Sequence, residues 1–177
     1  MQKPRNLVLI KKKSGGGLAL FHKNSVKVTL LSEFPEFLSF ECLDLSVVIK
    51  ATKVRLIVIY RPPDKSRAQF IEEFSSLLES TVSVSSKLLI TRDFIFAPNL
   101  YICAPTTDAY ANNFLTLIES FGFQQLVNQP THNGDHILDL VLSRQSESLV
   151  KSTHVDDSLG RNISDHSAQH PTLPLAN

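Results

Sequence analysis

Along the first third of the chain, apolar positions come in short or alternating runs broken by turn-forming residues, the pattern of strands. Leu7 to Ile10 forms a first apolar run, Gly15, Gly16 and Gly17 mark a turn, and Leu18 to Phe21 resumes the pattern. Ser25 to Leu31 alternates, as does Phe40 to Leu45 around Cys42, so each buries one face. These segments predict a hairpin-rich antiparallel region. Val54 to Tyr60 differs, because Leu56, Ile57, Val58 and Ile59 leave no polar face. A strand of that kind is covered on both sides and belongs at the centre of its sheet.

Pro62 and Pro63 end this strand, and the periodicity then changes. Phe70, Ile71, Phe74, Leu77 and Leu78 recur at helical spacing, with Ser66 and Gln69 placed to form a capping box at the start. A second buried strand, Lys87 to Ile90, leads into Asp93. A second helix follows, with Phe114, Leu115, Leu117, Ile118 and Phe121 on one stripe and Gly122 as its stop. The alternation of strand and helix predicts an α/β unit. After the turn-forming run Pro130 to Gly134, Ile137 to Leu142 reads as a strand interrupted by one carboxylate, Asp139. The pattern weakens beyond Leu142. The stretch 167–177 contains two prolines, which forbid a central strand. One domain over 1–166, followed by an irregular tail over 167–177, is the expected organisation.

Composition narrows the class. With 177 residues, 42% hydrophobic and 20% charged, the chain is sized and composed for one globular core. No apolar run approaches the roughly 18 residues that would span a bilayer, and the start lacks the apolar core of a signal peptide. Two cysteines, Cys42 and Cys103, build no disulfide framework, which fits a reducing, intracellular setting, nuclear or cytoplasmic. The net charge of +1 conceals an asymmetry, since Lys3, Arg5, Lys11, Lys12, Lys13, Lys23 and Lys27 all precede the first acidic residue, Glu33. Such a basic front suits phosphates; a solvated loop is the plainer reading.

Asp139 is the residue most in need of explanation, because a carboxylate set between Leu138 and Leu140 in a buried strand requires a partner. An exposed edge or a capped turn would also account for it. Asp93 ends a buried strand, where ligand crevices gather in α/β sheets, or else it simply forms a turn. Ser164, Asp165 and His166 set a carboxylate beside an imidazole, the side chain most used for proton transfer near neutral pH. His132 and His136 lie four apart, but in a Pro- and Gly-rich turn rather than on the helix that a zinc pair at that spacing requires. Gly15 to Gly17 lacks the Lys-Ser/Thr ending of a phosphate-binding loop.

Seven short words in order carry a resemblance. They are Lys-Ser-Gly-Gly-Gly-Leu-Ala-Leu at 13–20, Ile-Val-Ile-Tyr-Arg-Pro-Pro at 57–63, Asp93 after Leu-Leu-Ile, Ser-Phe-Gly-Phe at 120–123, Pro-Thr-His-Asn at 130–133, Leu-Asp-Leu-Val-Leu at 138–142 and Ser-Asp-His at 164–166. Together they resemble the endonuclease/exonuclease/phosphatase superfamily (deoxyribonuclease I-like), and within it the apurinic-type endonuclease domain of non-LTR (LINE-type) retrotransposons, which accompanies a reverse transcriptase. The resemblance implies a four-layer α/β sandwich of two mixed sheets with flanking helices, and hydrolysis of DNA phosphodiesters with Mg²⁺. It implies no membrane and no organic cofactor, and it leaves the oligomeric state open. It also implies roles. Tyr60 lies by the scissile phosphate, Asp93 orients or protonates an oxygen at phosphorus, and Asp139 aligns His166, which activates water or stabilises the developing charge. Asp165 is an acidic residue near the metal, and Thr131 contacts the substrate.

The departures from the pattern are equally definite. The family's Gly-Asp-Phe-Asn is here Arg92, Asp93, Phe94 and Ile95, so an amide donor is replaced by an apolar side chain. Loss of one such donor costs about 10²–10³ in rate. The family's metal-binding Asn and Glu lie before the triple glycine, where this chain has no acidic residue. The expectation is therefore a sandwich incomplete at the N-terminus and after His166, and a fragment or degenerate member of a Mg²⁺-dependent endonuclease family. The alternative is a catalytically inactive nucleic-acid-binding or functionless remnant.

Overall fold

The computed structural model describes residues 5–9, 18–31, 34, 36–83, 87–94, 109–132, 136–156 and 167–172. In chain order the elements are β1 (Arg5–Leu9), β2 (Ala19–Lys23), β3 (Lys27–Leu30), β4 (Glu41–Ile49), β5 (Thr52–Arg61), α1 (Arg67–Val82), β6 (Lys87–Phe94), α2 (Ala109–Ser120), β7 (Phe123–Gln125), β8 (Asp139–Arg144), β9 (Ser152–Asp156) and β10 (Ala168–Thr172). Six strands make one mixed sheet in the order β3-β4-β5-β6-β8-β7. Within it only β5 and β6 run parallel, and α1 makes the crossover between them. The expected α/β sandwich class is what the chain adopts, with two-stranded pieces, β1-β2 and β9-β10, beside the main sheet.

Strand β5 takes the central place its sequence predicts, and its two faces serve two cores. Ile57 and Ile59 join the helix-side cluster with Phe70, Phe74 and Phe114, whereas Val58 packs with Leu43, Leu45 and Val47 on the other face, where Leu18 and Leu20 also settle. Strands β4 and β5 extend further than their apolar runs and meet in a tight hairpin at Lys50, whose φ of 53° is the positive value such a turn demands.

Helix α1 forms where expected and buries Phe70, Phe74, Leu77 and Leu78. The Ser66 side chain caps it by accepting from the Gln69 N–H at 3.3 Å. Only half of a capping box is made, because the Gln69 amide turns forward to Glu73 at 3.1 Å instead of back to the cap. Helix α2 buries Ala111, Phe114 and Ile118 while Leu115 and Leu117 stay half-exposed, so the stripe is narrower than its apolar count suggested. Gly122 stops it at φ 72°, a left-handed conformation that glycine adopts without steric cost.

The end of the chain departs from expectation. Residues 168–172 are not irregular: they form β10, which pairs antiparallel with β9 and sets Pro171 opposite Thr153. The reason is positional, since a proline excluded from a central strand is tolerated in a two-stranded ribbon, where every strand has an open side. Strand β7, three residues long, was too short for its periodicity to show. The triple glycine, Lys11 to Lys13, Ile95, Cys103, Asp165 and His166 lie outside the described residues.

Candidate nuclease site

The sheet brings three of the expected site residues onto one line. Tyr60 near the end of β5 is the direct partner of Asp93 near the end of β6, and Asp93 is in turn the direct partner of Asp139 at the start of β8. Because β5 and β6 are parallel, this rung sits at their shared C-terminal ends, the edge of an α/β sheet where binding crevices form. Tyr60 and Asp139 are both half-buried, covered by the sheet yet reachable from outside.

The rung continues to a residue that sequence reasoning passed over. Glu41, the first residue of β4, is the partner of Tyr60, so four consecutive strands contribute Glu41, Tyr60, Asp93 and Asp139. Nothing in the local pattern marks Glu41, which reads as an ordinary polar position at a strand's start. Only the register of the β4-β5 hairpin, fixed by its turn, reveals the neighbour.

Asp139 is delivered to the rung by the turn that precedes it. The Thr131 hydroxyl oxygen accepts hydrogen bonds from the backbone N–H groups of Leu138 and Asp139, both at 3.0 Å. Thr131 itself is fully buried. Its own N–H donates to the His136 carbonyl at 2.9 Å, and its carbonyl accepts from the Ser167 N–H at 2.7 Å. Thr131 is thus tied both to the entry of β8 and to the residue that follows His166. His132 and His136 stack nearly parallel with ring centres 6.2 Å apart, the His132 N–H also donating to the His136 carbonyl.

On the other side of Tyr60, Arg61 is buried and donates from its guanidinium to the Lys65 carbonyl, closing the Pro62–Pro63 turn into α1. Its planar group lies over the Phe70 ring, 5.7 Å from the centroid. Burial lowers its pKa from the ordinary arginine value. The Arg-Pro-Pro part of the Tyr-Arg-Pro-Pro word therefore builds the turn behind the rung, and Tyr60 alone lies on the rung. Cys42, near the opposite end of the hairpin from Lys50, has its thiol pKa pushed far up by burial and by the neighbouring Asp44 carboxylate, which leaves it an inert apolar filler.

Among the described residues, no three His, Cys, Asp or Glu side chains form a group able to hold a metal ion. The described side chains therefore do not by themselves fit the Mg²⁺ that the sequence resemblance implies. No helix among the described residues is long and apolar enough to cross a membrane.

The sequence profile of a family described as endonuclease-reverse transcriptase matches residues 54–170, a span that includes the Tyr60–Asp93–Asp139 rung. The chain belongs to that family. It is thereby a member of the endonuclease/exonuclease/phosphatase superfamily, and solved structures of the same fold agree. The endonuclease domain of TRAS1, a telomere-specific non-LTR retrotransposon, superposes with a TM-score of 0.73 at 16% identity, over 98% of this chain and 81% of that one. A D. rerio TDP2 complexed with single-strand DNA product gives 0.62 at 11% identity, over 97% and 77%. An endonuclease/exonuclease/phosphatase family protein from Leptotrichia buccalis gives 0.61 at 14% identity, over 99% and 74%. No significant match is found among curated proteins. At these identities the structural likeness establishes the fold, and the family's profile carries the kinship.

Proposed function

We propose that this chain is a degenerate member of a Mg²⁺-dependent DNA endonuclease lineage of retrotransposon type, with its phosphodiester site on the rung described above. The observation that carries the reading is the register that sets Tyr60, Asp93 and Asp139 on one line at the C-terminal ends of two parallel strands. In this reading Tyr60 contacts a non-bridging phosphate oxygen and Asp93 orients or protonates an oxygen at phosphorus. Asp139 fixes the tautomer of His166, which takes a proton from the attacking water or stabilises the phosphorane-like charge. Water adds to phosphorus, the P–O bond to one deoxyribose breaks, and the departing oxygen leaves protonated. A bound Mg²⁺ would supply charge neutralisation at phosphorus, with Asp165 as the residue assigned to it. One carboxylate is too few for a strong site, and Ile95 offers no amide to the phosphate. Hydrolysis at a small fraction of the rate of a complete family member is the expected behaviour.

The basic front gives a second reading some support. Arg5 and Lys23 are direct partners across β1 and β2, and Lys23 and Lys27 are exposed. That is a concentration of cations suited to a phosphate backbone whether or not cleavage occurs. TDP2, of the same fold, is known in complex with single-strand DNA.

Plasmid nicking with Mg²⁺ and with EDTA tests the first reading. Metal-dependent nicks abolished by His166→Ala support an endonuclease, and their absence at any Mg²⁺ concentration overturns it. Salt-dependent DNA binding that survives His166→Ala but falls when Lys11, Lys12 and Lys13 are neutralised supports a binding remnant, whereas binding indifferent to salt excludes it.

A further inference from the structure

We propose that Thr131 is a positioning residue that holds both the backbone of Asp139 and the residue that follows His166, and does not itself touch the substrate. The inference rests on the reading above in which Asp139 and His166 act together. Three observations carry it. First, the Thr131 side chain is wholly buried, so a ligand in the crevice does not reach it. Second, a hydroxyl oxygen has two acceptor positions, and both are occupied, by the amides of Leu138 and Asp139 at 3.0 Å each. Those amides belong to the step where the chain enters β8, so the hydroxyl fixes the backbone from which the Asp139 side chain departs. Third, the Thr131 carbonyl holds the Ser167 amide at 2.7 Å. The residue next to His166 in the chain is therefore anchored to the same threonine that anchors Asp139. One buried residue thus joins the start of β8 to the residue after His166, two points far apart in sequence.

Threonine is the side chain this duty requires. Valine has the same shape but no acceptor, and would take this partner from two N–H groups, a buried one at Leu138 and a part-buried one at Asp139, a costly outcome for backbone donors. Serine keeps the oxygen and loses only a methyl group.

Amide hydrogen exchange on the full chain is the direct test, comparing wild type with Thr131→Val and Thr131→Ser. Valine should speed exchange at Leu138 and Asp139 by at least about tenfold, the size expected for a lost hydrogen bond, with the amides of Leu43 and Leu45 in the far part of the sheet unchanged. Serine should retain protection at both sites. A third variant, Ser167→Pro, deletes the amide that meets the Thr131 carbonyl at a position ahead of β10 where proline is tolerated. It should slow nicking while leaving Leu138 and Asp139 protected. In nicking assays Thr131→Val should lower kcat about tenfold or more with KM held, and serine should restore it. If valine speeds exchange evenly throughout the molecule, the residue is merely a stabiliser and the inference fails; it fails equally if valine leaves Leu138 and Asp139 unchanged, or if serine behaves as valine does. Should valine prevent folding, loss of protection at those two amides in the serine variant would still overturn the proposal. The two readings fail separately. A wild-type chain that never nicks overturns the endonuclease reading, while the exchange pattern judges Thr131 either way.

Discussion

Asp93 and Asp139 occupy directly opposed positions on antiparallel strands, two acidic residues on one rung of the sheet. Like charges placed so are destabilising by about 0.2–1 kcal/mol. Asp93→Asn should therefore raise the stability of the Mg²⁺-free protein by about 0.2–1 kcal/mol in urea unfolding, and lower any nicking at least about 10²-fold. A clear loss of stability would argue that Asp93 is held by a structural partner and is not poised for chemistry.

The ion pair between Asp44 and Arg55 makes a contrasting case. Asp44 is 1% exposed, and Arg55 grips both its carboxylate oxygens, Nε at 2.8 Å and Nη2 at 2.7 Å, while lying 5.7 Å from the Phe34 ring centroid. Removing one partner strands the other as a buried charge. Asp44→Ala should cost about 3–5 kcal/mol in denaturant unfolding, and replacing both residues with apolar ones of similar volume should cost much less. Equal losses from the single and double variants would show that the pair is not coupled.

Acid sensitivity should trace in part to Glu73. Burial acts to raise its carboxyl pKa, but the Ser39 hydroxyl and amide, the Leu38 amide and the Gln69 side chain all donate to it and together hold it below the ordinary value. A carboxylate depressed in the folded state contributes stability above its unfolded pKa, about 4.3, and loses that contribution as pH falls through the lower folded value. Glu73→Gln should thus lose stability at neutral pH and show a shallower decline between about pH 5 and pH 3. Urea unfolding across that range measures it, and parallel wild-type and variant curves would refute the assignment.

The helix-side core hinges on Phe74, which is fully buried with ring centres 5.4 Å from Phe70 and 5.5 Å from Phe114. It joins α1 to α2 over the sheet. Phe74→Ala should cost about 3–5 kcal/mol, read as a shift in the denaturant midpoint at unchanged slope. A loss below about 1 kcal/mol would mean that the neighbouring rings close the gap.

What the sequence made legible was whatever had a period. The uninterrupted apolar run at Leu56 to Ile59 placed β5 centrally, and the spacing of Phe70, Phe74 and Leu78 located α1. Tyr60, Asp93 and Asp139 were found as words in a family pattern, but their alignment on one rung depends on register, which a hairpin turn and a helical crossover determine and no single segment encodes. Glu41 was missed for that reason. Strands β9 and β10 escaped because polar residues such as His154 and Gln169 interrupt them where an apolar alternation would have shown. The bonds of Thr131 were equally hidden, since a threonine in a Pro-rich turn looks the same on paper whether it meets solvent or backbone amides.

The single parallel step in the six-stranded sheet has a consequence for assembly. Glu41 reaches Tyr60 through a tight hairpin, a local event, but Tyr60 meets Asp93 only after α1 has carried the chain across, and Asp93 meets Asp139 only after a still longer excursion through α2 and β7. Contacts between remote segments form late, because loop closure must come first. Half-made copies of this chain therefore carry a finished hairpin before the rung exists, and the rung is complete only when β8 docks.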